Sequence, residues 1–295
     1  MKYNKVNTAV ILAGGFGTRF LPATLGVCKE MFSVLDKPIL FYHLKECAEC
    51  NITNIVVVSN KSKQEINKFI NPNKKILKKL KQENKTLLLK EYFSVLNKLN
   101  IKIVYQKKQN GTGGALLKAK RCIKKQPFLL INGDDLFMGK QVSTKLLLKL
   151  YNKTGLNISL IKQVDKAKIK NYGCAKLTQQ NKLLYLNQII EKPMANKAPS
   201  CYAVLGKHIL NYQIFKHLKN INCHNGEYYV TDAINVLASQ NKCLACIFDG
   251  EYIDCGNKLE FAKFYVNQVL ESKQYGAKFL SFLKQKTNNE YFFKM

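Results

Sequence analysis

Arginine is nearly missing from this 295-residue chain: of its 48 basic residues only Arg19 and Arg121 are arginines, and the rest are lysines. Proteins that read nucleic-acid bases lean on the planar arginine fork, which lysine cannot imitate. The formal charge of +29 therefore does not point to a sequence-specific nucleic-acid binder. The lysines are scattered, usually beside asparagines, which suits a compositional replacement of surface arginine; attraction for phosphorylated small molecules fits either reading. Long apolar runs are also lacking. Nothing approaches the roughly 18 apolar residues of a membrane span, and runs such as Thr8 to Ala13 and Ile55 to Val58 are strand-sized. No proline- or glycine-rich linker and no internal repeat divides the chain, so residues 1–295 read as a single domain. A strand pattern begins almost at once, giving the expectation of no signal peptide and of a cytoplasmic protein without membrane or specific nucleic-acid partners.

Ten cysteines without an export signal imply free thiols in a reducing compartment. Two Cys-x-x-Cys pairs, Cys47/Cys50 and Cys243/Cys246, raise a four-thiolate zinc site. Periodicity argues against it, because Cys243 to Phe248 reads as a strand, on which positions three apart face opposite ways.

What is present is an alternation of strand-like and helix-like runs. Val6 to Ala13, Ile55 to Ser59, Ile101 to Gln106 and Pro127 to Asn132 are near-continuous apolar strands. Pro38 to Cys50 and Ala115 to Ile123 have helical spacing. Such strands between helices indicate an α/β fold with a parallel sheet covered on both faces and ligands at the carboxyl ends of its strands. After Asn157 the strand candidates cluster at Asn157 to Val164, Gly173 to Leu177, Leu183 to Ile190, Tyr202 to Leu205 and Leu244 to Phe248, so the sheet is expected to be mixed. The lysine- and leucine-rich segment 72–100 reads as an amphipathic surface insertion and a candidate subunit contact. Residues from 258 onward read as a terminal helix or helix pair.

The chemistry concentrates behind the first strand, at Ala13-Gly14-Gly15-Phe16-Gly17-Thr18-Arg19, followed by Pro22, Thr24 and Lys29. A glycine turn after a buried strand lets backbone N–H groups approach phosphate oxygens. This one has neither the Gly-Lys-Ser/Thr of a Walker loop nor the Gly-x-Gly-x-x-Gly fingerprint. It adds Arg19 and Lys29, two cations suited to a triphosphate, and in so lysine-rich a chain an arginine here suggests that bidentate geometry is needed.

The spacing resembles the signature of the sugar-nucleotide pyrophosphorylases. The continuations Leu21-Pro22-Ala23-Thr24, Lys29-Glu30-Met31 and Asp36-Lys37-Pro38 are similar to the bacterial UTP–glucose-1-phosphate uridylyltransferase branch. Further blocks agree in order: Asn132-Gly133-Asp134-Asp135, Ile190-Glu191-Lys192-Pro193, Gly226-Glu227, Thr231-Asp232-Ala233-Ile234 and Tyr252-Ile253-Asp254-Cys255-Gly256-Asn257-Lys258. The resemblance implies a single Rossmann-like nucleotidyltransferase domain with a mixed, mostly parallel central sheet flanked by helices, a helical insertion near 72–100 and a C-terminal helical segment near 258–295. It implies nucleotide contacts at Ala13, Gly14, Gly15, Gly17, Thr18, Gln106, Gly111 and Gly133, and sugar contacts at Gly173 and Glu191. Arg19, Lys29 and Lys192 become the catalytic cations, and Asp134 and Asp254 the ligands of a Mg²⁺ cofactor. The implied substrates are UTP and glucose 1-phosphate, and relatives form homodimers or homotetramers.

Two departures matter. The branch usually carries Gly-Leu-Gly-His-Ala where this chain has Gly111-Thr112-Gly113-Gly114-Ala115, and the five-residue step from Gln106 to Gly111 resembles the thymidylyltransferases. Cys28 replaces the usual proline before Lys29 and reads as a packing change. From the residues alone, Asp134 or Asp135 could equally cap a following helix, and Thr231 and Asp232 read as helix caps.

Overall fold

A computed structural model of the chain describes residues 3–223 and 226–288. Its strands are β1 (Thr8–Leu12), β2 (Ser33–Val34), β3 (Lys37–Pro38), β4 (Asn54–Ser59), β5 (Asn100–Tyr105), β6 (Phe128–Asn132), β7 (Asp135–Met138), β8 (Asn157–Gln163), β9 (Gly173–Gln180), β10 (Leu183–Glu191), β11 (Tyr202–Leu210), β12 (Cys243–Ile247) and β13 (Glu251–Asp254). Its helices are α1 (Ile39–Glu49), α2 (Gln64–Ile70), α3 (Lys74–Gln82), α4 (Lys90–Leu96), α5 (Gly111–Ala119), α6 (Ser143–Thr154), α7 (Ile214–His217), α8 (Val230–Ala238), α9 (Lys258–Glu271) and α10 (Gly276–Asn288).

Nine strands form one sheet in the order β5-β4-β1-β6-β11-β8-β12-β10-β9. The first four run parallel, with β1 paired to β4 on one side and to β6 on the other. Beyond β6 the sheet is mixed: β11 is antiparallel to both β6 and β8, β12 is parallel to β8, and β10 is antiparallel to β12 and β9. Side chains of the buried strands alternate between two cores. Ala9, Ile11, Ile55, Val57, Leu129 and Ile131 face the core closed by α1 and α6. Val10, Leu12, Val56, Val58, Phe128 and Leu130 face the one closed by α5, α7 and α8. That is why these strands read as unbroken apolar runs.

Lys207 on β11 is a charge inside the first layer, with no solvent-exposed surface. Its Nζ donates to Glu46 Oε2 of α1 at 2.7 Å and to Ser143 Oγ of α6 at 2.8 Å, and lies 4.2 Å from the centre of the Phe137 ring. Glu46 Oε1 accepts from Ser143 Oγ and from the Thr144 amide, so a single carboxylate ties two helices to the sheet.

Several elements differ from the sequence expectations. The helix expected over 115–123 starts at Gly111, because the glycines there allow the chain to turn tightly against Tyr228. Segment 72–100 is α3 and α4 joined by a 3-10 turn over Thr86–Leu89, rather than one helix. Its Leu87 and Leu88 are about four-fifths exposed, while Tyr92 and Val95 pack inward. Asp134 and Asp135 cap no helix, since the strand β7 follows at once. Helix α8 has Tyr229 at its N-cap, which puts Thr231 and Asp232 in its first turn rather than at the cap. The C-terminal segment, expected as a helix or helix pair, is two helices, α9 and α10, and residues 289–295 lie outside the described residues.

The Glu46–Lys207 pair sets an acid limit on stability. Burial opposes the charged form of Glu46, but Lys207 overrides it and holds the carboxyl at about 2 against an ordinary 4.5. A depressed acid contributes stability above its unfolded value and loses it as pH falls, so the wild type should weaken between about pH 4.5 and 2. Lys207→Met should cost about 3–5 kcal/mol at neutral pH by stranding the buried carboxylate. That variant should regain part of the loss on acidification, as Glu46 takes up a proton. Urea denaturation across pH reads both; an unchanged profile in Lys207→Met would show that the pair is inert.

Candidate active site

The parallel half of the sheet directs the carboxyl ends of β1, β4 and β6 toward one edge, where a cleft of about 260 Å³ opens. Gly14, Gly15, Lys29, Glu30, Gln106, Gly111, Thr112, Asn132, Asp134 and Tyr229 line it. A second cleft, of about 190 Å³, holds Gly173 and Glu191 and shares Thr112, Asn132 and Tyr229 with the first. The two cavities therefore adjoin across three side chains.

The glycine turn leaves β1 through Gly17, which sits in the left-handed region at φ 67°. Thr24 Oγ1 donates to the Gly17 carbonyl at 3.0 Å, closing the loop on itself. Arg19 leaves this turn toward the acidic strand ends: its guanidinium reaches Asp254 Oδ2 at 3.1 Å and Asp134 Oδ2 at 3.7 Å. Lys29 pairs with the same Asp134 oxygen. The two aspartates meet because β7 and β13 pair antiparallel, with the Cys255 amide donating to the Asp134 carbonyl at 2.8 Å. Four residues from three distant segments thus make one charge cluster. Burial works against the ionised form of Asp134, yet the Lys29 ammonium holds its carboxyl below the usual range. Burial likewise opposes the charge on Lys29, and Asp134 with Glu30 outweighs it and raises the ammonium above its usual range.

Asp135 behaves differently from its neighbour. It is buried, accepts from Tyr252 Oη at 2.8 Å and from Asn132 Nδ2 at 3.2 Å, and is pushed up to about 7 by burial and by the charge of Asp134. Its place is behind the charge cluster, fixing Asn132 and Tyr252. Gly206 of β11 makes room for this pair, since a Cβ there would collide with both Asp135 Oδ2 and Asn132 Nδ2.

The remaining expected positions fall into two groups. Gln106 is buried against Gly14, and Gly173 sits beside Glu191, its missing Cβ leaving 3.4 Å to Glu191 Oε1. Lys192, just past β10, holds a left-handed backbone at φ 44°, a conformation costly for a side-chain-bearing residue, with its amide donating to the Tyr172 carbonyl at 3.1 Å. It is exposed and contacts neither Asp134 nor Arg19. Thr18 is exposed on the turn. Ala13 and Gly133 are more constrained: the Ala13 amide donates to Val58 O and the Gly133 amide to Leu12 O, so both N–H groups are committed within the protein. The Cys28 thiol is pushed up to about 12 by burial and by Glu30, which leaves it a packing group rather than a nucleophile.

Sequence reading passed over a buried ion pair beneath the cleft. Lys63 Nζ donates to Glu30 Oε2 and to the Ala13 carbonyl, both at 2.7 Å, so it braces the end of β1. Glu30 stands in the Lys29-Glu30-Met31 block, but nothing in the sequence pairs it with Lys63, 33 positions on. Asn132, Thr112 and Tyr229 were not singled out either. For Asn132 the available signal was a polar side chain closing an otherwise apolar strand.

The nucleotidyl transferase family model matches residues 8–268. A UTP–glucose-1-phosphate uridylyltransferase of Staphylococcus saprophyticus is 34% identical over 95% of this chain and 98% of its own. A UTP-bound UGPase from Acinetobacter baumannii superposes with a TM-score of 0.87 at 28% identity, covering 95% of this chain and 99% of that one. A UDP-glucose pyrophosphorylase complexed with UDP-glucose superposes with a TM-score of 0.81 at 28% identity, over 88% and 97% of the two chains.

A contrast between two glycines checks the packing of the site. Gly206→Ala should cost about 1–3 kcal/mol by displacing Asn132 and Asp135. Gly15→Ala, whose Cβ meets nothing within 4 Å, should change stability by about 0.5 kcal/mol or less. Equal losses in urea denaturation would contradict this picture of the cluster.

Proposed function

The chain belongs to the nucleotidyl transferase family, and from that premise we infer that it converts UTP and α-D-glucose 1-phosphate to UDP-glucose and pyrophosphate. The observation that carries this reading is the Arg19–Lys29–Asp134–Asp254 cluster, whose Lys29 and Asp134 line the larger of two adjoining clefts. The larger cleft suits the nucleotide, between the glycine turn and Gln106. The smaller, with Glu191 and Gly173, suits the sugar, whose hydroxyls a carboxylate can accept from.

Both substrates are anions, so the residues must align them and neutralise charge rather than supply a nucleophile. A phosphate oxygen of glucose 1-phosphate attacks the α-phosphorus of UTP in line, the bond to the β-phosphate oxygen breaks, and pyrophosphate leaves. No general base is required, because that oxygen is already ionised. Arg19 and Lys29 exchange carboxylate partners for triphosphate oxygens, and Lys192 steadies the attacking phosphate. Asp134 and Asp254 fit a Mg²⁺ site: they are hard oxygen donors on paired strand ends, close enough for one guanidinium to reach both. Among the described residues no group of three or more His, Cys, Asp or Glu is assembled for a metal, so phosphate oxygens and water would complete the shell. A Mg²⁺ held there would neutralise charge on both substrates' phosphates.

The cytoplasm is part of the same reading, supported by ten unpaired cysteines; among the described residues no helix is long and apolar enough to cross a membrane. The quaternary state we infer is a homodimer or homotetramer. Its support is a groove of about 1070 Å³ in which Leu88, Val269, Tyr275, Phe279 and Phe282 are flanked by Asp36, Lys37 and Lys278. Sedimentation at the monomer mass under assay conditions would overturn it.

Asp134→Asn and Lys192→Ala should each lower pyrophosphate release by on the order of 10²-fold. Wild-type turnover by Asp134→Asn in limiting Mg²⁺ would refute the metal assignment. The short step from Gln106 to Gly111 favours one rival, a thymidylyltransferase acting on the same sugar phosphate. Running the assay with dTTP beside UTP separates them, since a clear dTTP preference sinks the uridylyl reading.

A further inference from the structure

Gln106 projects a buried amide into the wall of the larger cleft, and a free amide can turn over at little cost, exchanging its donor and acceptor faces. This one is held. Gln106 Nε2 donates to Asn110 Oδ1 at 2.8 Å, and Gln106 Oε1 lies on the Gly14 side, 2.7 Å from where a Gly14 Cβ would stand.

Asn110 is itself constrained from three directions. It occupies the N-cap position of α5, where its side chain bonds no helix amide and Oδ1 is free to accept from Gln106, while the positive end of a nine-residue helix favours an oxygen over an NH₂ group nearby. Its side chain lies over Gly114, whose hydrogen is all that fits; a Cβ at 114 would collide with Asn110 Oδ1 and Cγ. Its carbonyl accepts from the Tyr228 amide at 2.9 Å, while Gly111 at φ 83° packs against the Tyr228 backbone. The positive helix end favours the oxygen of Asn110 on this side, and that oxygen takes the nitrogen of Gln106. Gln106 Oε1 is left as the face turned to the Gly14 wall.

Resting on the uridylyltransferase reading, we propose that Asn110 is a positioning residue for base choice: by holding Gln106 Nε2 it presents Gln106 Oε1 as an acceptor to the imide N–H of a uracil-type base and turns away cytosine-type bases. Uracil carries a donor at N3, whereas cytosine carries an acceptor there, which would face Oε1 oxygen to lone pair. Thymine shares the imide edge, so this device sorts imide bases from cytosine and leaves uracil and thymine to other contacts. The glycine at 114 is part of the device, because it is the space in which Asn110 lies.

Steady-state kinetics with UTP and with CTP, at saturating glucose 1-phosphate, test this on the full-length enzyme. Asn110→Ala should reduce the UTP-to-CTP ratio of kcat/KM about tenfold, the worth of one net hydrogen bond that biases the amide. Most of that change should be a gain with CTP, since a freed amide still presents Oε1 about half the time and KM for UTP rises only about twofold. Asn110→Asp, which keeps an acceptor oxygen, should retain the ratio. Gly114→Ala should imitate Asn110→Ala by displacing the side chain, and should add little once Asn110 is alanine. An unchanged ratio in both Asn110→Ala and Gly114→Ala, or an Asn110→Asp variant as indiscriminate as Asn110→Ala, would overturn the proposal. Should the wild type turn over neither triphosphate, the uridylyltransferase reading fails separately. Calorimetric binding of UTP and CTP to the wild type and Asn110→Ala then reads the same ratio without catalysis.

Discussion

Everything at the mouth of the clefts depends on balancing like charges held close together. Asp134 and Asp254 are brought side by side by the β7–β13 pairing, and two carboxylates so placed repel unless cations stand between them. Arg19 and Lys29 take that place, arriving from the glycine turn and from the short helical turn behind it. Asp135 shows what happens without such a cation: buried and next to a charged neighbour, its carboxyl rises to about 7 and is held by Tyr252 and Asn132. The same four charges that stabilise the mouth are the ones a polyphosphate and a divalent cation would rearrange.

Behind this cluster lies a second tier of buried ions that fixes backbone rather than ligand. Lys63 clamps the Ala13 carbonyl to Glu30 at the end of β1, and Lys207 clamps α1 and α6 to β11. Ion pairs in such places contribute little net energy compared with apolar replacements, and breaking one half is costly. Their value is geometric: each joins elements that carry site residues to elements that carry none.

The legible part of the chain was the part where function and local pattern coincide. The apolar runs of β1, β4 and β6 betrayed strands buried on both faces, and Gly14-Gly15-Phe16-Gly17 betrayed a turn with room for an anion. Segments whose shape depends on distant partners were misread or left open. Helix α5 begins earlier than its apolar spacing suggests because Gly111 and Gly113 lie against Tyr228, more than a hundred residues on. Asp134 looked as much like a helix cap as a strand end until β13 supplied the partner for β7.

The sequence by itself determined the α/β class, the position of the glycine turn and the identity of the charged residues around it, because each of these rests on neighbours a few positions apart. Only the tertiary structure decided which charges meet, that Lys63 belongs to Glu30 and Lys207 to Glu46, and that Asn110 lies against Gln106 in the space left by Gly114. Those pairings are set by strand order and by the absence of a single Cβ, and neither leaves a periodic trace along the chain. Hydrogen bonds and ion pairs act over about 3–4 Å, and it is the β7–β13 pairing beside the glycine turn that brings side chains from residues 19, 134 and 254 within that reach.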